Sequence, residues 1–431
     1  MPITAAFRAS LLYFHADPRL QEQAMHWHRD GLLLLDGDKI SAAGDYHALQ
    51  ALLPPDLVVQ HFPGKILLPG FIDTHIHYPQ TDMIASPAPG LLPWLEKYTF
   101  PNERRFSDAT HADEVAKFFI DELLRSGTTS AMVYCSVHPQ SVESLFGESE
   151  RRNLRMIAGK VMMDRNCPEF LRDTPESSAR ESEQLINKWH GRGRALYAIS
   201  PRFAPTSSAQ QLHLAGELAQ QYPTTYIQTH VAENRDECDW ARALFPQARS
   251  YLDIYDQVGL MRERAMYAHC VWLDDTDRRR LAETGSAISL CASSNLFLGS
   301  GLFDFAAADA AGIALSYGSD VGGGTTFSML QVMNESYKVA RMGGHYLPAL
   351  TMFYSATLGA ARALQLEGQI GSFAAGCEAD FIVLDPAATA LLARRSSHCD
   401  SLEECLFVLA MLGDDRCIAA TYAAGQLVHQ R

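Results

Sequence analysis

Six residues of this 431-residue chain have types and spacings that suit metal-assisted hydrolysis: His75, His77, His230, Glu233, His269 and Asp320. His75 and His77 sit one residue apart at the end of the apolar run "LLPGFIDTHIH" (67–77). The pair alone is weak evidence. With 16 histidines in the chain, about 0.6 such pairs arise by chance, and His26 and His28 in "MHWHRD" have the same spacing without an apolar lead-in. Context separates the two. His230 and Glu233 close "TYIQTHVAE", His269 lies in "AMYAHCVWL" (265–273), and Asp320 closes "IALSYGSD" just before Gly322-Gly323-Gly324.

Those segments read as strands alternating with helical patterns. Further strands are expected at 131–136, 156–164, 195–204 and 287–294, with the first at "KILLPGFID" (65–73). The helix "HADEVAKFFIDELLRSG" carries acidic residues early and Arg125 and Gly127 at its end. Strand–helix alternation over about 300 residues predicts a (β/α)8 barrel, whose strands deliver their C-terminal ends to one mouth. The two ends of the chain read differently. "GLLLLDGDKISAAG" predicts strand, Asp-Gly turn, strand, and "LVVQHFPGKILLPG" predicts a strand pair around Pro63-Gly64. The C-terminal "GSFAAGCEADFIVLD" and "CIAATYAAGQLVHQ" are β-like, with Gly425 at a hairpin turn. The expected fold class is therefore α/β: a TIM-like barrel over 66–370, with a small accessory β-sandwich domain built from 1–65 and 371–431.

A barrel mouth would bring His75, His77, His230 and Asp320 to one point. A buried carboxylate without a partner is costly, so Asp320 calls for one. Three nitrogens and one oxygen suit zinc with a position left for water. A single histidine at a strand end is more often a core or rim residue, and that reading is kept for His15, His47 and His111. For the four-residue set, the coincidence would have to hold at every strand. His269 fits a ligand, a catalytic group or a rim histidine, with the second favoured. Glu233 fits a solvated loop or, three residues after His230, a proton-transfer group, again with the second favoured.

Composition narrows the partners. The net charge of −14 argues against nucleic acid or an anionic membrane as partner. The N-terminus has no basic region followed by an apolar core, and no apolar run approaches the ~18 residues of a membrane helix. Nine scattered cysteines without C-x-x-C spacing fit reduced thiols, and hence a cytoplasmic protein. H-E-x-x-H, P-loop and G-x-S-x-G patterns are missing, as is the H-x-E with P-C-x-x-C of the other zinc deaminase fold.

The segments "PGFIDTHIH", "THVAEN", "AHC" and "YGSDVGGG" resemble the metal-dependent amidohydrolase superfamily. "HYPQTDMIASPAPGLLPWLEKYTFPNE" (77–103) and "SPRFAPTSS" resemble its guanine-deaminating branch. That resemblance implies guanine as substrate and contacts to it from Gln80, Arg202 and Phe203, along with His230, Glu233 and Asp320. The residue types agree. A guanidinium can fork onto the O6 acceptor, an amide offers donor and acceptor, and a phenyl ring can stack on a purine. Arg202 also suits a rim ion pair and Phe203 a core position, while Trp94 suits either a pocket wall or a surface loop.

Two-metal members usually carry a carboxylated lysine at the end of the fourth strand. "ALYAISPRFA" has none, and Lys160 falls in the first half of the preceding strand, so one zinc (or iron) ion is expected. The implied chemistry is hydrolytic. The metal lowers the pKa of its water from about 15.7 toward ~7, and Asp320 takes the proton released. Glu233 protonates a ring nitrogen, and His269 hydrogen-bonds the new oxygen. Attack at C2 turns guanine into xanthine and ammonia. The resemblance also implies a homodimer. Two other readings stay open at this stage: an aminohydrolase or dechlorinase of triazines or other purines, and a metal-free scaffold.

Overall fold

The computed structural model describes residues 3–431. Eight parallel strands form the central sheet: β1 (Phe71–His77), β2 (Thr128–Tyr134), β3 (Arg155–Gly159), β4 (Leu196–Pro201), β5 (Tyr226–Val231), β6 (Ala265–His269), β7 (Ala287–Leu290) and β8 (Ala314–Tyr317), paired in chain order. A short extra strand, Val161–Met162, pairs with β4. The strands are almost wholly buried, as a parallel sheet covered by helices requires. The helix Ala109–Arg125 illustrates the cover. Asp108 caps it, and it buries Ala112, Val115, Ala116, Phe119, Ile120, Leu123 and Leu124 on one face.

The sheet closes where the segment after β8 returns to β1. Thr74 Oγ1 donates to the Tyr317 carbonyl at 3.0 Å and hydrogen-bonds the Ser289 and Ser316 hydroxyls at 2.7 and 2.8 Å. Asp320 N–H donates to the His75 carbonyl and His77 N–H to the Val321 carbonyl, both at 2.9 Å. The result is the expected barrel.

Seven strands from the two ends of the chain form a second sheet, in the spatial order Gln426–Gln430, Ile418–Ala423, Phe381–Leu384, Val59–Pro69, Ala5–Phe14, Met25–Asp36, Lys39–Asp45. Phe7 and Tyr422 lie on strands three places apart, which would be about 14 Å in a flat sheet. Their rings are 5.1 Å apart. The sheet therefore curls over its own core, in which Phe7, Leu11, Leu33, Phe381 and Tyr422 meet. Gly425, at φ +77°, makes the terminal hairpin turn.

Three local expectations change. The run read as one strand, "KILLPGFID", divides at Gly70. Residues up to Pro69 pair in the accessory sheet, and Phe71 begins the barrel. An added Cβ at Gly70 would lie 2.0 Å from Thr129 Oγ1, so the crossing needs glycine. Pro63-Gly64 is not a hairpin turn. The strand Val59–Pro69 runs through it and pairs with Ala5–Phe14 on both sides, with a shift in register between Arg8 and Ser10. Lys160 is not inside a strand either. It follows β3, fully buried, with its ammonium 2.5 Å from Asp173.

Candidate active site

The C-terminal ends of β1, β5, β6 and β8 meet at one buried point. Side chains two apart on a strand share a face, so β1 sends both His75 and His77 there. His77 Nε2 lies 3.2 Å from the Nε2 atoms of His75 and of His230. Asp320 Oδ1 lies 3.2 Å from the Nε2 atoms of His75 and His77. A regular tetrahedron of that edge has its centre about 2.0 Å from each vertex, the usual zinc–imidazole distance. His269 stands farther out. Its Nε2 is 3.8 Å from Asp320 Oδ2 and 3.5 Å from Glu233 Oε2, although its ligand atom falls within a 4.8 Å group with those of His75, His230 and Asp320. The tight set is thus His75, His77, His230 and Asp320, and this donor set fits a metal ion.

Protonation agrees with that fit. Burial lowers the pKa of all three inner imidazoles, that of His77 to about 4. Burial alone would raise Asp320, but the surrounding imidazoles outweigh it and hold the carboxyl well below its ordinary range. Neutral imidazoles beside a carboxylate are the ligand forms that metals take. His230 Nδ1–H donates to the Arg202 carbonyl at 2.7 Å, which leaves Nε2 with its lone pair toward the centre.

Backbone turns aim these groups. Ala232, His269, Cys270 and Asp320 all have φ between 51° and 69°. That left-handed conformation is uncommon for non-glycine residues and concentrates at functional sites. Beneath the centre, Asp73 Oδ1 accepts from the backbone N–H groups of His75 and Ser319, both at 3.1 Å. It ties β1 to the loop that carries Asp320. An added Cβ at Gly318 would lie 2.6 Å from His75 Cβ, and one at Gly323 would lie 2.6 Å from Ser294 Oγ, so "YGSDVGGG" passes close to its neighbours.

Glu233 is buried and accepts from Ser300 Oγ at 2.9 Å through Oε1, which turns Oε2 toward His269. Its pKa rises to about 8, first through burial and then through the charge of Asp320. Its backbone is held too. Glu237 Oε2 accepts from the N–H groups of Glu233 and Asn234 at 3.0 and 3.2 Å, and Glu237 Oε1 accepts from Tyr251 Oη at 2.5 Å. Asn234 and Glu237 form the capping box of the helix Arg235–Leu244.

One cavity joins these groups to Gln80, Arg202, Phe203 and Trp94. Phe203 and Trp94 are buried, and the Trp94 Nε1–H has no hydrogen-bond partner among the described residues. Arg202 does form an ion pair, with Glu103, and still lines the cavity. Trp94 belongs to the wall and not to a surface loop. The decoy His26 and His28 lie instead on the accessory sheet, beside Tyr13.

Sequence reasoning did not single out Asp73, Glu103, Glu237 or Ser300. Glu237 carried a signal in the N-x-x-E capping box from Asn234, and Glu103 ends the stretch that bore the branch resemblance. Ser300 lies in an irregular loop with no pattern to mark it.

The Amidohydrolase family model matches residues 66–428. The guanine deaminase of Escherichia coli (strain K12) is 48% identical over 415 residues, covering 96% of this chain and 94% of that one. The chain belongs to the amidohydrolase family, in its guanine deaminase branch. Human guanine deaminase is 32% identical over 378 residues, 84% of this chain and 83% of its own. Among solved amidohydrolase-like structures, E. coli guanine deaminase superposes with a TM-score of 0.97 at 47% identity, over 99% of this chain and all of that one. The C. acetobutylicum guanine deaminase with bound guanine gives 0.87 at 26% identity, over 99% and 100% of the two chains. No helix of the described residues is long and apolar enough to cross a membrane.

Proposed function

We propose that this site hydrolyses guanine to xanthine and ammonia, using one zinc ion held by His75, His77, His230 and Asp320. Iron is the alternative occupant. When bound, the ion supplies an acidified water and Lewis-acid stabilisation of developing charge.

The chain's own groups supply the rest. Glu233, with its pKa near 8, carries a proton at neutral pH and delivers it to the ring nitrogen beside C2. Asp320 takes a proton from the attacking water through Oδ2, the oxygen that faces His269. The His269 Nε2 is buried without a hydrogen-bond partner among the described residues, and it meets the oxygen added to C2. Asp320 then passes that proton to the exocyclic amine, Glu233 takes the proton of the new C2 hydroxyl, and the amine leaves as ammonia with both residues restored. One water is consumed, the C2–N bond breaks and a C2–O bond forms. Arg202 and Gln80 read the purine edge, and Phe203 packs on the ring.

The observation that carries this reading is that the donor set opens, through His77, His230 and Asp320, on one cavity with Glu233 and the Gln80–Arg202 wall. The guanine-bound relative supports the substrate. Ammonia release from guanine, adenine, cytosine and a chlorotriazine tests it. Guanine is expected to lead, with xanthine as product, and adenine or the triazine outpacing guanine would replace the reading.

The accessory unit is taken as the N-terminal part up to Pro69 with 371–431, and the barrel as Phe71 to 370, the expected bound at 65/66 moving to Gly70 because Ile66–Pro69 pair in the accessory sheet. Cytoplasmic residence is supported by nine cysteines that are all free. A homodimer is expected from the branch. Light scattering over a dilution series checks it, and a monomer throughout counts against it.

A further inference from the structure

Glu103 ends the stretch that begins at His77, yet no step of the reaction uses it. It closes the short helix Phe100–Glu103 and is 1% exposed. Its Oε1 accepts from Gln80 Nε2 at 3.1 Å and from Arg202 Nη1 at 3.0 Å, and its Oε2 accepts from the same Nη1 at 2.8 Å. Gln80 Oε1 in turn accepts from the Gly322 backbone N–H at 3.1 Å.

These contacts leave Gln80 one orientation. An amide's oxygen and nitrogen are told apart by their partners. A backbone N–H only donates and a carboxylate only accepts, so Oε1 must face Gly322 and Nε2 must face Glu103. The reverse would set two donors together and two acceptors together. One Nε2 hydrogen is held by Glu103, and the other remains for the cavity. Arg202 has no acceptor at all, and its Nε and Nη2 form no hydrogen bond among the described residues. Trp94, whose Nε1–H is without a partner among the described residues, lines the same cavity. The wall therefore offers N–H groups from Gln80 and Arg202. The earlier expectation that Gln80 presents donor and acceptor alike gives way to a mainly donor role.

Resting on the guanine reading above, we propose that Glu103 is the positioning residue that sets purine selectivity. By accepting from Gln80 and Arg202 together, it fixes this wall as a donor surface. Such a surface matches a purine edge that carries acceptors, the 6-oxo oxygen and N7, and mismatches a 6-amino group. Glu103 also balances the guanidinium charge inside the protein, where an unpaired charge would be costly.

Competitive inhibition of guanine turnover by hypoxanthine and by adenine reads this directly, because the two differ at C6. In the wild type, hypoxanthine is expected to bind about 10²-fold or more tightly than adenine, since a site built for one polar partner rejects its mismatch. In E103Q an amide hydrogen must face Gln80 or Arg202. The preference should fall to within about tenfold, and the guanine KM should rise more than kcat falls, with the metal retained.

The exchange Q80E/E103Q restores a donor and an acceptor across the contact but places an acceptor where the wall had a donor. Its thermal midpoint should recover relative to E103Q while the guanine KM stays raised. Recovery of KM and selectivity along with stability would mean that the donor character of the wall does not set selectivity. E103D keeps the carboxylate and should lie nearer the wild-type preference than E103Q. If E103Q does not fold, the other two variants decide. An unchanged hypoxanthine-to-adenine ratio in folded, metal-loaded E103Q, or in the double exchange where E103Q does not fold, overturns the proposal. Failure of the wild type to release ammonia from guanine strikes the reading of the site itself.

Discussion

Asp320 meets His75 twice: its backbone N–H donates to the His75 carbonyl at 2.9 Å, and its Oδ1 lies 3.2 Å from the His75 Nε2. The first contact closes the barrel and the second assembles the donor set. Closure and ligand geometry are thus one structure, in which main-chain pairing holds the loop that carries Asp320 against the strand that carries His75.

The metal follows from that geometry. Purified protein should hold close to one ion per chain. His75→Ala removes one vertex of the tight set and should release most of it. His26→Ala, on the accessory sheet, should leave it in place. Elemental analysis of the three proteins checks this. Two ions per chain, or full activity with none, would refute the single-metal site.

Glu233 can be isolated in the same way. Glu233→Gln keeps the size of the side chain and the acceptor for Ser300 but removes the titrating proton. Turnover should fall about 10²–10⁴-fold, the usual contribution of a placed acid–base group, with the metal content unchanged. Near-normal turnover at neutral pH would return Glu233 to a structural part.

The barrel and the donor set were legible because burial writes them plainly. Strand–helix alternation reported the covered parallel sheet, and His75, His77, His230 and Asp320 each ended an apolar run. Strand ends were over-read: in "AMYAHCVWL" the chain stays apolar past the point where it turns, and in "IALSYGSD" Ser319 and Asp320, after Tyr317, are polar yet buried. His269, Cys270 and Asp320 turn it through left-handed backbone, and that conformation has no signature in side-chain polarity. The division at Gly70 was hidden for a related reason: both sides of it are buried, in different sheets. Glu103 and Glu237 escaped notice because an isolated glutamate reads as solvated until its partners, 23 or more residues away for Glu103, are brought beside it.

The junction of barrel and accessory sheet carries a pH dependence. Glu378 accepts from Arg155 Nε at 2.8 Å and from Arg194 Nε at 3.0 Å, and Arg194 also pairs with Asp380. Burial would raise the Glu378 pKa, but the two guanidiniums outweigh it and bring it down to about 2. A carboxylate depressed in the folded state stabilises above its unfolded value, about 4.3, and that stability is lost as pH falls toward 2. Glu378→Gln leaves Arg155 without its carboxylate and should cost about 3–5 kcal/mol. Thermal midpoints of the two proteins at neutral pH should differ clearly and converge between pH ~4.3 and ~2. A gap that stays constant through that window would mean the pair adds no pH-linked stability.

Arg202 joins the purine wall to a buried ion pair, and its removal should separate two effects. Guanine has an acceptor at C6 and adenine a donor, so the guanidinium favours the first and repels the second. Arg202→Met should raise the guanine KM and lower turnover while sparing the metal, because the His230 imidazole bonds to the Arg202 backbone carbonyl and not to its side chain. It should not open the site to adenine, since no acceptor for the adenine amine is created. Stability should also fall by about 3–5 kcal/mol, as expected when one partner of a buried pair is left alone, here Glu103. Steady-state kinetics on guanine and adenine, metal content and a thermal melt read the three effects independently. An unchanged guanine KM and turnover alongside a lowered melt would assign Arg202 to the ion pair alone.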